Sequence, residues 1–99
     1  MIEISSLEKF DSVINEDNAI VDFYADWCGP CKMMGMVLDE AEASYPNIKF
    51  SRINTDMFQV LSKKYKVSAI PTLIMFSKGK IVKQSVGFLN REELDEFLK

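Results

Sequence analysis

The sequence predicts an α/β fold in which a mixed sheet of about five strands is covered on both faces by about four helices. Three observations carry that expectation. The runs "AIVDFYA" (Ala19 to Ala25) and "TLIMF" (Thr72 to Phe76) are short, apolar and rich in β-branched and aromatic residues, the pattern of strands buried on both faces. Segments with apolar residues at helical spacing alternate with such runs, and a strand–helix–strand succession implies a parallel crossover. The Lys78-Gly79-Lys80 turn joins the last two extended runs, which must then be antiparallel.

In chain order, Ile2 and Ile4 begin an extended start. Ser5 with Glu8 makes a capping-box signal for a first helix, along which Leu7, Phe10, Val13 and Ile14 recur until "NEDN" ends it. The strand Ala19 to Ala25 follows, broken in polarity by Asp22 alone. From Pro30, the residues Met34, Val37, Leu38, Ala41 and Tyr45 form one helical stripe, stopped by Pro46-Asn47. "IKFSRIN" (Ile48 to Asn54) reads as a strand, Phe58, Leu61 and Tyr65 as a short helix, and Thr72 to Phe76 with Ile81 to Val86 as a hairpin. Asn90 with Glu93 caps a last helix carrying Leu94, Phe97 and Leu98. No linker or repeat interrupts the 99 residues, so a single domain over 1–99 is expected.

A formal net charge of -3 supplies no basic field to neutralise phosphates or hold an anionic bilayer, which argues against nucleic acid and membrane as partners. No signal-peptide pattern opens the chain and no apolar run approaches transmembrane length, so a soluble, cytoplasmic protein is expected. Both cysteines fall within "DWCGPCK" (Asp26 to Lys32), a usage that suits a reducing compartment and a chemical role.

That segment lies just past the carboxyl end of a central strand and opens the long helix, where open α/β sheets place their sites. Cys28 falls at or near the N-cap with Cys31 one turn on, and this spacing brings the Cα atoms into disulfide range with little backbone movement. Pro30 suits a first helical turn, since it fixes φ and lacks an N–H that would have no intrahelical partner, while Gly29 admits another backbone. Unpaired N–H groups and the positive end of the helix dipole favour a thiolate on Cys28, the nucleophile. Cys31, tucked into the first turn, has no such exposed role and is placed to attack a mixed disulfide formed on Cys28. A zinc site would need ligands beyond this pair, and the chain has no histidine. A purely structural disulfide closing so short a loop would contribute roughly 2 kcal/mol or less. Asp22, in a strand covered on both faces, has its charged form disfavoured by burial, which makes it a candidate proton acceptor for Cys31; the alternative is an acid satisfied by an ion pair or water.

"VDFYADWCGPCK" resembles the active-site segment of the thioredoxin family. "IPT" (Ile70 to Thr72), the "KGK" turn and "VGF" (Val86 to Phe88) extend the resemblance over essentially the whole chain. Glutaredoxins, protein disulfide isomerases and DsbA-like oxidants carry other dipeptides between the cysteines, and Gly-Pro points to a reductant. The resemblance implies a thioredoxin fold and a protein-disulfide reductase that works as an electron carrier. It would be monomeric, without bound cofactor or metal, recharged by a thioredoxin reductase and acting on disulfide-containing proteins. It also implies that Pro71 is a cis-proline facing the cysteines, and that Trp27, Gly29, Pro30, Ile70, Gly87 and Phe88 form an apolar surface for an extended substrate peptide. Asp22 matches the family's buried acid. A binding module in which the redox cycle is incidental is the competing reading.

Two positions depart from the family pattern. Arg52 stands where a lysine is usual near the acid, and its guanidinium cannot release its proton; the expectation is that Arg52 keeps its head in water and burial dominates at Asp22. Met36 replaces a helix-kinking proline beside Gly35, and the methionines of "KMMGM" read as core filler.

Overall fold

The computed structural model describes residues 1–99. In chain order it comprises β1 (Ile2–Glu3), α1 (Leu7–Ile14), β2 (Ala19–Tyr24), α2 (Gly29–Ala41), β3 (Lys49–Asn54), α3 (Gln59–Lys64), β4 (Thr72–Ser77), β5 (Lys80–Val86) and α4 (Arg91–Phe97), with one 3-10 turn, Glu42–Ser44, closing α2. The sheet order is β1-β3-β2-β4-β5. β3 runs parallel to β1 and β2, whereas β4 is antiparallel to β2 and β5 to β4, giving the mixed five-stranded sheet expected from the strand patterns.

The central position of β2 explains its composition. All six of its residues are buried, because it is paired on both edges and covered on both faces. Alternation along the strand sorts these side chains. Ala19, Val21 and Phe23 join Phe10, Val13 and Ile14 of α1, Leu61 of α3, and Ile53, Ile74 and Phe76 of the neighbouring strands. Ile20 joins Met34, Leu38 and Ala41 of α2 and Leu94 of α4 on the opposite face. Asp22 and Tyr24 share the face of Ile20, so the buried acid lies under the helix that carries the cysteines.

Local chemistry sets the element ends, with two corrections to the sequence reading. The N-cap of α1 is Ser6, not Ser5: Ser6 is extended and its hydroxyl accepts the Lys9 N–H at 3.0 Å. With the cap one residue later, Glu8 sits at the second helical position and cannot close a reciprocal box, although it still complements the positive helix end. Of the α2 methionines only Met34 is core; Met33 and Met36 are exposed, since neither lies on the face that meets the sheet. α2 is continuous through Gly35 and Met36. The Asn90–Glu93 capping box is present with both reciprocal bonds.

At the hairpin, Lys78 and Gly79 both take positive φ, 49° and 84°, as a tight two-residue turn requires. The turn docks on the end of α1, where the Gly79 N–H donates to Ile14 O at 2.7 Å. A Cβ on Gly79 would stand 2.9 Å from Asn15 Oδ1, so glycine is needed there for contact as well as conformation.

Candidate active site

Past Tyr24 the chain turns through Ala25 to Trp27, closed by the Cys28 N–H donating to Ala25 O at 3.2 Å. Cys28 is then the N-cap of α2, and its sulfur accepts the Cys31 N–H at 3.2 Å. The two cysteines form a disulfide with their Cα atoms 5.2 Å apart, within the ordinary range. Sequence reasoning gave Cys28 an exposed role and Cys31 a buried one. Both are nearly equally buried, at 5% and 4% exposure, because the Cys28 sulfur turns inward to cap the helix and lies 3.9 Å from Ile70 O. Access comes from the exposed rim of Trp27, Gly29 and Pro30.

The structure gathers most of the anticipated surface around the pair. Ile70 packs on the cluster of Tyr24, Ala25, Cys28 and Cys31, and the Ile70–Pro71 peptide bond is cis. Pro71 is buried, and its carbonyl accepts the Gly87 N–H at 2.7 Å, with Gly87 at a φ of 98° that favours glycine. Phe88 is at the border of exposure next to it. Trp27 is 72% exposed, yet its ring is fixed: Nε1 donates to Asp56 Oδ2 at 2.9 Å. Asp56 went unremarked in the sequence, because a partner 29 residues away leaves no local pattern.

Asp22 is 1% exposed, and its Oδ1 has no hydrogen-bond partner from the protein. Burial pushes its carboxyl up to about 7 from an ordinary 3.8, opposed by the Arg52 guanidinium and reinforced by the negative charges of Glu3 and Asp39. The expectation that burial prevails therefore holds. The expected position of Arg52 does not: its side chain is only a third exposed, with the guanidinium over the Tyr24 ring at 3.9 Å and Nε, buried, paired with Glu3. Desolvation of a guanidinium is tolerable where an aromatic face and a carboxylate replace water. A cleft of about 290 Å³ opens between Cys31 and Arg52.

A disulfide that caps a helix at the carboxyl end of a central strand, with an ionisable acid buried beneath that helix, defines a dithiol–disulfide oxidoreductase. Comparison with known proteins agrees. The thioredoxin family model matches residues 1–99. The chain is 40% identical to a thioredoxin of Chlamydia pneumoniae over 98 residues, covering 99% of this chain and 96% of that one. It is also 40% identical to thioredoxin-1 of Saccharomyces cerevisiae over 86 residues, covering 86% and 84%. Among solved structures, a Plasmodium falciparum thioredoxin superposes with a TM-score of 0.92 at 28% identity, covering 99% of this chain and 96% of that one. A mutant thioredoxin of Halobacterium salinarum superposes at 0.87 and 33% identity, with 97% and 85% covered. The chain belongs to the thioredoxin family, and its redox centre is the Cys28–Cys31 pair.

Proposed function

We propose that residues 1–99 act as one monomeric domain that carries electrons from a thioredoxin reductase to disulfides of target proteins in the cytoplasm. The observation that supports the division of labour is the cap itself: the Cys31 N–H points at the Cys28 sulfur. That bond and the positive end of a 13-residue helix stabilise a thiolate on Cys28 once the disulfide is reduced.

In the forward cycle the Cys28 thiolate attacks one sulfur of the target disulfide, forming a mixed disulfide and releasing the other target sulfur as a thiolate that takes up a proton. Asp22, as carboxylate, accepts the Cys31 proton. The resulting Cys31 thiolate attacks the Cys28 sulfur, the intermolecular bond breaks, and the second target sulfur leaves as a thiolate that takes up the second proton, which Asp22 releases as it returns to carboxylate. The target has gained two electrons and two protons, and the carrier holds the Cys28–Cys31 disulfide. The reductase returns the same number of each. Trp27, Gly29, Pro30, Ile70, Pro71 and Gly87 form the docking surface beside the buried Cys28 sulfur. No helix is long and apolar enough to cross a membrane, which is compatible with this setting.

The test is covalent trapping. Cys28→Ser is expected to be inert, and Cys31→Ser to accumulate mixed disulfides with target protein, while the unaltered chain turns over with a thioredoxin reductase and NADPH. Equal trapping by both variants would overturn the assignment.

A further inference from the structure

Strand register places Glu3, Arg52, Asp22 and Leu73 in one row across β1, β3, β2 and β4. The row reads acid, base, acid, apolar, so Arg52 stands between two carboxylates. It is committed to one of them. Its Nε lies 3.0 Å from Glu3 Oε1, a close ion pair without the alignment of a hydrogen bond, while the other Glu3 oxygen, Oε2, accepts the Tyr24 hydroxyl at 2.7 Å. The guanidinium carbon rests 3.9 Å from the centre of the Tyr24 ring. Glu3, Tyr24 and Arg52 thus close a three-membered clamp, whereas Asp22 Oδ1 is left without a protein partner. Above the clamp, a Cβ on Gly35 would stand 3.8 Å from Arg52 Nη1, so α2 runs directly over the guanidinium.

We propose that Glu3 and Tyr24 are positioning residues for proton transfer, holding Arg52 away from Asp22 so that its carboxyl stays free to take the Cys31 proton. This rests on Asp22 being the acceptor. The groups facing Asp22 are few. β3 contributes the cation Arg52, β1 the anion Glu3, α2 the anion Asp39, and β4 only Leu73, while Tyr24 follows on its own strand. Arg52 is the one cation in that set, so where its charge sits decides how readily Asp22 ionises. Glu3 acts twice in the same direction, through its own negative charge and by occupying the guanidinium.

Glu3 is half-exposed, so Glu3→Gln removes the charge without burdening the fold. The experiment titrates the Asp22 carboxyl by carbon NMR in the oxidised protein, where the thiols do not titrate. The expected midpoint falls by roughly half a pH unit in Glu3→Gln and by less in Tyr24→Phe, with Glu3→Asp restoring most of it. The pH profile of mixed-disulfide resolution moves down by the same interval, and it does not move when Glu3→Gln is made in an Asp22→Asn background. An unmoved Asp22 midpoint in Glu3→Gln overturns the clamp, as does a profile shift that survives in the Asp22→Asn background. The acceptor reading fails separately: it falls if Asp22→Asn alone leaves the profile unchanged, whatever the carboxyl titration shows.

Discussion

The two faces of the sheet are each covered by helices but differ in what they give to stability. Under α1 and α3 the contacts are largely apolar and uncharged, with Phe10, Tyr65 and Phe76 meeting at ring separations of 5.4 to 6.1 Å, two of the three pairs edge-on. Under α2 the apolar layer of Ile20, Met34, Leu38 and Phe50 gives way toward the cysteines to Asp22 and the Glu3–Tyr24–Arg52 clamp. The first face is a stabilising core whose contribution does not depend on pH. The second carries a carboxyl that costs stability whenever it is ionised, and the proton transfer proposed for Cys31 needs that ionised form. A domain of this size tolerates the cost because the opposite face compensates for it.

The largest expected effect lies on the apolar face. Phe76 is fully buried between the rings of Phe10 and Tyr65 and among several aliphatic neighbours, and Phe76→Ala should lower unfolding free energy by about 3–5 kcal/mol, equally at acid and neutral pH. A strong pH dependence of that loss in denaturant titrations would mean the faces are not separable.

On the α2 face the sign reverses. The folded carboxyl of Asp22 titrates about 7 against an ordinary 3.8, so the native state holds a proton that the unfolded chain has released. Asp22 therefore contributes fully below the unfolded value, and that contribution is lost as pH climbs from about 4 to about 7. Asp22→Asn should be stabilising by roughly 2–4 kcal/mol above pH 7, less whatever the amide loses for want of partners, and nearly neutral at pH 4. Guanidinium denaturation at both pH values checks it.

The smallest effect concerns α2 itself. Gly35→Ala gives α2 a better helix former, and its Cβ meets Arg52 Nη1 at an ordinary 3.8 Å. A gain of about 0.5–1 kcal/mol is expected, read as a rise in thermal midpoint. A loss would show that the guanidinium needs the space glycine leaves.

What was legible in the sequence divides along the same line. The redox pair, the cap position of Cys28 and the burial of Asp22 follow from spacing and from a continuous apolar run, both local signals. The clamp does not, because Glu3, Tyr24 and Arg52 meet only through the register of β1 and β2 against β3, and no local pattern encodes register between distant strands. Arg52 accordingly read as a snorkelling surface residue. The Trp27–Asp56 bond was hidden for the same reason, and the Ser5/Ser6 ambiguity reflects two adjacent residues of equal capping chemistry.

The central claim, that the acid under α2 takes the proton of Cys31, is tested most directly by the rate at which Cys31 resolves a mixed disulfide on Cys28. Stopped-flow release of a chromophoric aromatic thiol would follow that step across the acid-to-neutral range, in the unaltered chain and in Asp22→Asn. The account predicts a rate that rises through about pH 7 as Asp22 ionises, and in the Asn variant the loss of that limb with slowing on the order of a hundredfold. Superimposable profiles would contradict it and leave Asp22 a buried acid without a part in the exchange.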